Sequence, residues 1–237
     1  MSTDSDSVIR IDYFSDILCI WAYVAQIRVD EMLSQFGDHV EVSYHFFPVF
    51  GCTQTRIGEG WKDRGGFTGY NRHVRAIADR FEHVDVHPRV WLDNAPRSSA
   101  ACHLFLAALA LLGQEGVIAA GPRPELAGKS VYEAAAWRLR CAFFQELRDI
   151  GRLEVQTAIA SDLGLPVDAL LERLHNGAAM AVMCRDAELR DQYRVEGSPT
   201  YILNGGRQKL YGDVGYKIID ANIREILNRR EDQLSWC

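Results

Sequence analysis

The apolar and polar positions change their period along the chain, and the changes mark the elements. Residues 8–14 (VIRIDYF) are dense in β-branched and aromatic side chains and predict a central strand. Ile20, Val24, Ile27, Met32, Leu33 and Phe36 recur at helical spacing and predict a helix over 20–36. Ser15 or Asp16 is its expected N-cap, and Gly37 its C′ residue. Residues 40–47 then alternate, with Val40, Val42, Tyr44 and Phe46 on one face, and Pro48 stops them. Strand, helix and strand at this spacing predict two parallel strands joined by a right-handed crossover.

From residue 51 to 194 no stretch reads as a strand. Residues 51–69, rich in glycine and polar side chains, predict a surface loop. Helices are predicted over 70–81, from Ser98 or Ser99 as cap to Leu112, over 131–150 up to Gly151, over 154–163, from Val167 after Pro166 to before Gly177, and over 178–193. The last part returns to period two. Residues 200–203 and 208–211 flank Asn204-Gly205-Gly206, a strong hairpin signal. An amphipathic helix over 213–229 follows, carrying Ile218, Ile219, Ile223, Ile226 and Leu227. The order is βαβ, a helical block, then ββα. It predicts an α/β protein with one mixed sheet, built from residues 8–50 and 195–230, and an all-helical insertion over 51–194. No internal repeat or low-complexity tract interrupts it.

Composition narrows the function classes. Of 237 residues, 48% are hydrophobic and 24% charged, which suits a globular chain with a real core. The net charge of −6 and the lack of any basic stripe argue against nucleic acid and anionic membrane as partners. Residues 1–7 are acidic and polar, unlike a signal peptide, and read as a disordered tail. The longest apolar run, 104–112, is too short to span a bilayer. A cytoplasmic location is expected. The six cysteines (Cys19, Cys52, Cys102, Cys141, Cys184 and Cys237) show neither a Cys-x-x-Cys pair nor zinc spacing, and reduced thiols are the expectation. Cys102, Cys141 and Cys184 read as core fillers in helices, and Cys237 as a loose terminal residue.

The candidate chemistry centres on Cys19. It stands where the first strand turns into the first helix, and unpaired N–H groups at a helix start favour a thiolate. Against this stands the ordinary fate of an isolated cysteine, packed as a small hydrophobe. Far along the chain, Gly197-Ser198-Pro199-Thr200 precedes the third strand, where proline, often in a cis bond, suits a tight turn.

Asp16-Ile-Leu-Cys19-Ile-Trp21-Ala22-Tyr, Gly197-Ser-Pro-Thr-Tyr-Ile-Leu203 and the helical block between them together resemble the DsbA-like branch of the thioredoxin superfamily. That branch includes kappa-class glutathione transferases and 2-hydroxychromene-2-carboxylate isomerases. The resemblance covers residues 9–227 and implies a thioredoxin fold with a cis-proline loop at Pro199 facing Cys19. It also implies a glutathione co-substrate, and its transferase and isomerase members suggest a homodimer, the oligomeric state staying open; no metal is expected from the Cys and His spacing. One departure matters: the motif is Cys19-Ile20-Trp21-Ala22, and Ala22 cannot resolve a mixed disulfide. The transferase and isomerase relatives usually carry serine where Cys19 stands.

Three activities follow from that resemblance. The first is a glutathione-dependent thiol–disulfide oxidoreductase working through Cys19 alone. Ser198, with Pro199 and Thr200, would meet the cysteinyl part of the bound thiol, and Asp213 its γ-glutamyl amine, unless Asp213 is a plain N-cap. The second is a transferase or isomerase acting on a small hydrophobic electrophile. Phe47-Pro48-Val49-Phe50, Trp61 and Trp91 would line its pocket, unless they are core. The third is a catalytically silent binding protein. Cys52 is a candidate distant resolving thiol. His45 reads as structural, His73, His83 and His87 lack a metal-ligand spacing, Ser98-Ser99 reads as a helix cap, and Gly58, Gly60, Gly65 and Gly66 lack phosphate-loop context.

Overall fold

The computed structural model describes residues 8–228. The expected tail over 1–7 and Cys237 lie outside the described residues. Strand β1 (Ile9–Ser15) leads into helix α1 (Ile20–Phe36) and strand β2 (Val40–Phe46). Six helices follow: α2 (Gly66–Ala78), α3 (Ala100–Gln114), α4 (Val131–Phe144), α5 (Leu153–Asp162), α6 (Val167–His175) and α7 (Ala178–Gln192). Strands β3 (Thr200–Leu203) and β4 (Gln208–Tyr211) and helix α8 (Tyr216–Leu227) close the chain.

The sheet order is β2-β1-β3-β4. β1 runs parallel to β2, and β3 pairs antiparallel with both β1 and β4. This is the thioredoxin arrangement expected from the βαβ and ββα halves. The hairpin turn places Asn204 and Gly205 at φ +44 and +66, the left-handed conformations that Asn-Gly tolerates best.

One face of the sheet buries Ile9, Ile11, Tyr13, Tyr201 and Leu203 against Val29, Met32 and Phe36 of α1 and Ile219, Ile223 and Ile226 of α8. On the other face Phe14 and Ile202 meet Phe47 and Val195, with Leu189 of α7 against them. The first turns of α1 share a third core with α2 to α7. Tyr23 of α1, for example, stacks on Trp137 and Phe144 of α4 with centroids 5.1 and 4.6 Å apart. The helical block thus takes part of its core from the strand-to-helix turn at Cys19.

Several boundaries differ from the sequence reading. Helix α1 begins after Cys19, whose backbone is extended, so Cys19 occupies the N-cap position. Ser15 instead ends β1 and accepts a hydrogen bond from Arg140, and Asp16 accepts one from the Leu18 N–H in a turn ahead of the helix. Gly37 is right-handed at φ −50 and not a left-handed C′ residue. The expected loop over 51–69 holds a π-helical turn (Gln54–Glu59) and a 3-10 turn (Lys62–Arg64), and α2 starts at Gly66. Helix α4 stops at Phe144, six residues before the expected end, because Leu147 turns left-handed and the His87 N–H takes the Phe144 carbonyl. Its start is a capping box: the Ser130 hydroxyl accepts from the Glu133 N–H, and the Glu133 carboxylate from the Ser130 N–H.

Candidate active site

The turn Asp16–Cys19 leaves the end of β1, where the central strand must hand its direction to α1. Asp16 is fully buried and acts as the hub of that turn. Its carboxylate accepts from Leu18 N–H (2.8 Å), Phe50 N–H (3.0 Å) and Ser99 Oγ (2.7 Å), joining α1, the end of β2 and the start of α3. Burial pushes its pKa up, but His103 beside it and these donors hold it below the usual carboxylate range. His103 Nε2 lies 3.2 Å from Ile17 N and 3.7 Å from Asp16 Oδ1. The ring thus sits against the Ile17 N–H, and 3.7 Å is too long for a hydrogen bond to the carboxylate.

Cys19 is 6% exposed and faces the loop before β3. That loop contains a cis Ser198–Pro199 peptide. The Cys19 thiol donates to the Ser198 carbonyl at 3.3 Å, and the Ser198 hydroxyl accepts from the Asp16 N–H at 2.9 Å. Two segments some 180 residues apart are thus locked across the site. Burial pushes the Cys19 thiol up. Ser198 and the N–H groups of Ala22 and Trp21 pull it down without overcoming burial, and the Asp16 charge adds to the rise. The resting side chain is therefore a thiol. This corrects the expectation, drawn from the helix start alone, that the thiol ionises more easily than a free one.

A cavity of about 710 Å³ opens over Cys19. Ile20 and Trp21, Phe47 to Phe50, Trp61, Tyr70 and the segment Val195–Ser198 form much of its wall. Arg56, Arg64 and Arg190 supply three guanidinium groups, with Glu196 the carboxylate among the lining residues. Burial raises the pKa of the Tyr70 hydroxyl, so it is a neutral donor. At Gly197 an added Cβ would come within 2.6 Å of the hydroxyl of the exposed Tyr211, whose ring would have to swing aside.

The other expected site residues divide. Trp21, Ser198 and Phe47-Pro48-Val49-Phe50 with Trp61 line the cavity. Ala22 is fully buried beneath Cys19 and brings no sulfur. Pro199 is buried, and its carbonyl accepts from the Gly212 N–H. Thr200 turns inward and donates to the Gly197 carbonyl at 2.7 Å, bracing the loop from behind. Asp213 pairs with Arg28 of α1 and lies outside the cavity wall, while Gly215 takes the N-cap position of α8. Trp91 is 1% exposed and packs behind Phe50 and Tyr70, so it is core. Cys52 is exposed, with its thiol drawn down by Thr55, and is not part of the cavity wall. His73 packs at a tilt against Trp61, His83 donates to the Val24 carbonyl, and His87 accepts from the Arg89 N–H. Arg56, Arg64, Tyr70, Arg190 and Glu196 went unread in the sequence. No short motif marks them; for Arg56, Arg64 and Tyr70 the sole signal is arginine interleaved with aromatic residues between Phe47 and Tyr70, and Arg190 and Glu196 have none.

A family model described as DSBA-like thioredoxin domain matches residues 10–223. Comparison with curated protein sequences gave no match. Among solved structures, the chain is similar to a probable DsbA oxidoreductase from Streptomyces coelicolor. That match has TM-score 0.67 and 19% identity, and covers 97% of this chain and 94% of that one. It is similar to the cytosolic disulfide reductase DsbM from Pseudomonas aeruginosa, solved with GSH. Here TM-score is 0.63 and identity 19%, over 91% and 99% of the two chains. A 2-hydroxychromene-2-carboxylate isomerase matches with TM-score 0.60 and 13% identity, over 92% and 95%. At these identities the structures speak for the shared fold.

Proposed function

The chain belongs to the DSBA-like thioredoxin family, and on that premise we propose that it is a thiol–disulfide oxidoreductase acting through Cys19 alone, with glutathione as co-substrate. The observation that carries this reading is a thiol at the floor of a large cavity, bonded to the Ser198 carbonyl, with Ala22 where a second sulfur would stand. A lone thiol completes a disulfide cycle only with a second thiol from solution.

In the first step the Cys19 sulfur attacks a disulfide R–S–S–G. A bond forms between the Cys19 sulfur and the glutathione sulfur, the RS–SG sulfur–sulfur bond breaks, and RSH leaves with the proton that Cys19 gave up. The thiol must first release the Ser198 carbonyl, which frees the main chain of that loop for the incoming cysteinyl backbone. The Trp21 and Ala22 N–H groups support the sulfur's charge in passing. In the second step the thiolate of another glutathione attacks the adduct, oxidised glutathione leaves, and Cys19 regains its proton. The sum is RSSG plus GSH giving RSH plus GSSG. DsbM having been solved with GSH supports glutathione as the thiol. Five free cysteines among the described residues support a reducing, cytoplasmic setting.

The raised thiol pKa favours one second reading. Cys19 would then stay protonated and donate to the thiolate of a bound glutathione that attacks an electrophile, as in a transferase or isomerase. Cys184 is exposed like Cys52 and is not the core filler expected, so incubation with oxidised glutathione and peptide mass mapping, in a Cys52→Ser/Cys184→Ser background that silences both exposed thiols, separates the two. One glutathionyl group on Cys19 supports the single-thiol cycle. No adduct on Cys19, with a Cys19→Ser protein that still consumes an electrophile, refutes it in favour of the second reading.

A further inference from the structure

The protein carries net charge −6, yet the cavity over Cys19 gathers three guanidinium groups and one carboxylate. Arg190 is already engaged, its Nε and Nη2 donating to Asp191 at 2.9 and 2.6 Å. Arg56 and Arg64 have no carboxylate partner among the described residues. Each lies against an aromatic ring instead: Arg64 over Trp61 at 3.8 Å from the centroid, and Arg56 over Phe50 at 5.9 Å. A guanidinium held over a ring keeps its N–H edge free to fork a carboxylate, and its orientation is already restricted before a ligand arrives.

The backbone under these groups is also fixed. Arg56 sits in the π-helical turn and Arg64 in the 3-10 turn, which Gly65 closes at φ +95. The Arg64 carbonyl rests so close to Gly69 that an added Cβ would stand 1.8 Å from it. This contact seats the Arg64 turn directly on α2, which carries Tyr70 and His73 into the same wall. Arg64 also lies close enough to His73 to add to the lowering that burial causes there, which keeps that ring neutral and leaves the guanidinium as the local cation.

We infer that Arg56 and Arg64 form a carboxylate-binding subsite that selects anionic thiols and disulfides for Cys19, with Glu196 as the counter-charge for a ligand ammonium. The class is a small peptide-like thiol carrying two carboxylates and one amine, in place of the neutral hydrophobic electrophile that the aromatic residues alone suggest. This rests on the single-thiol reading above and deepens it. The subsite needs no redox step of its own, since it acts by charge and fork geometry.

The test compares disulfides that differ in charge. Mixed-disulfide formation on Cys19 is timed with oxidised glutathione and with neutral 2-hydroxyethyl disulfide, in the Cys52→Ser/Cys184→Ser background. The ratio of the two rates is read for that protein and for Arg56→Gln, Arg64→Gln and the double variant. Each single change is expected to lower the ratio about tenfold, which corresponds to one charge-assisted contact. The ratio of the parent should also fall as salt rises. A ratio unmoved by the double variant overturns the subsite. If Cys19 reacts with neither disulfide, the single-thiol reading falls by itself, and binding of S-methylglutathione then tests the subsite without redox chemistry. Heat released on titration of the parent and lost in the double variant supports it; no binding to the parent overturns it. Far-ultraviolet circular dichroism checks that the variants fold.

Discussion

Raising the pH from 6 to 9.5 should remove about 3 kcal/mol of stability that His45 supplies. His45 stands in β2 with both ring nitrogens facing carboxylates: Nε2 lies 2.9 Å from Asp12 on β1, and Nδ1 lies 2.8 Å from Asp186 on α7. Its ring stacks on Phe14 at 4.8 Å, and its side chain is 13% exposed. With an acceptor on each side both nitrogens must donate, so the imidazolium is the form that fits. Burial works against that charge, and the two carboxylates overcome it, raising the pKa from 6.5 to about 9. At about 1.36 kcal/mol per pKa unit, that rise amounts to about 3 kcal/mol. The sign follows from a folded pKa above the unfolded one. The contribution is complete below about pH 6.5, falls through the interval up to about 9, and is gone above it.

The buried thiols Cys19, Cys102 and Cys141 also have raised pKa values and lose stability on the alkaline side in the same sense. The measurement is therefore a difference. Urea unfolding of the parent and of His45→Gln at pH 6 and pH 9.5 should show a stability gap about 3 kcal/mol larger at the lower pH. A gap constant to within about 0.5 kcal/mol across that range would refute the assignment of a charged His45. Because Asp186 lies one helical turn from Arg190 on α7, the same titration should loosen one wall of the cavity.

Three further outcomes are expected. Ala22→Cys should convert the site to dithiol chemistry: oxidised glutathione would yield a disulfide between Cys19 and the introduced thiol, two hydrogens lighter by mass, with no lasting adduct. A persistent adduct would show that Ala22 is not what limits the cycle. Asp16→Asn places a donor amide among three donors and should cost about 2–4 kcal/mol in urea unfolding. It should also flatten the acid limb, since a carboxyl held low stabilises above about pH 4 and loses that effect as pH falls through its folded pKa. An unchanged acid limb in the variant would sink that account. Ser130→Ala breaks the capping box of α4 and should cost about 1 kcal/mol, seen as a drop of about 2–4 °C in the thermal midpoint; an unaltered midpoint would mean the cap contributes nothing.

Much of the fold was legible because its signals are local. Alternation in 40–46, the helical spacing of Ile20, Val24 and Phe36, and Asn204-Gly205 each report on neighbours within a turn or a pleat. Cys19 and Pro199 were legible as members of familiar turns, and the family resemblance tied them together. Element ends were less legible. Whether α4 stops at Phe144 depends on His87, far upstream in the chain, taking its last carbonyl.

By itself, then, the sequence determined the strand and helix order, the absence of a second sulfur beside Cys19, and the turn that places this cysteine at a helix start. The tertiary structure decided what those residues experience. The local rule for a helix start favours a thiolate, but desolvation is set by everything packed around the sulfur, and it leaves Cys19 a thiol at rest. Asp213 was readable as a ligand contact or a cap, and Arg28, 185 residues away, takes it for an ion pair instead. Arg56, Arg64, Arg190 and Glu196 carry no motif, because what makes them a charged cavity wall is their convergence in space from separate segments. Burial and charge act through distance in three dimensions, and a reading along one dimension reaches only the part that lies within a few residues.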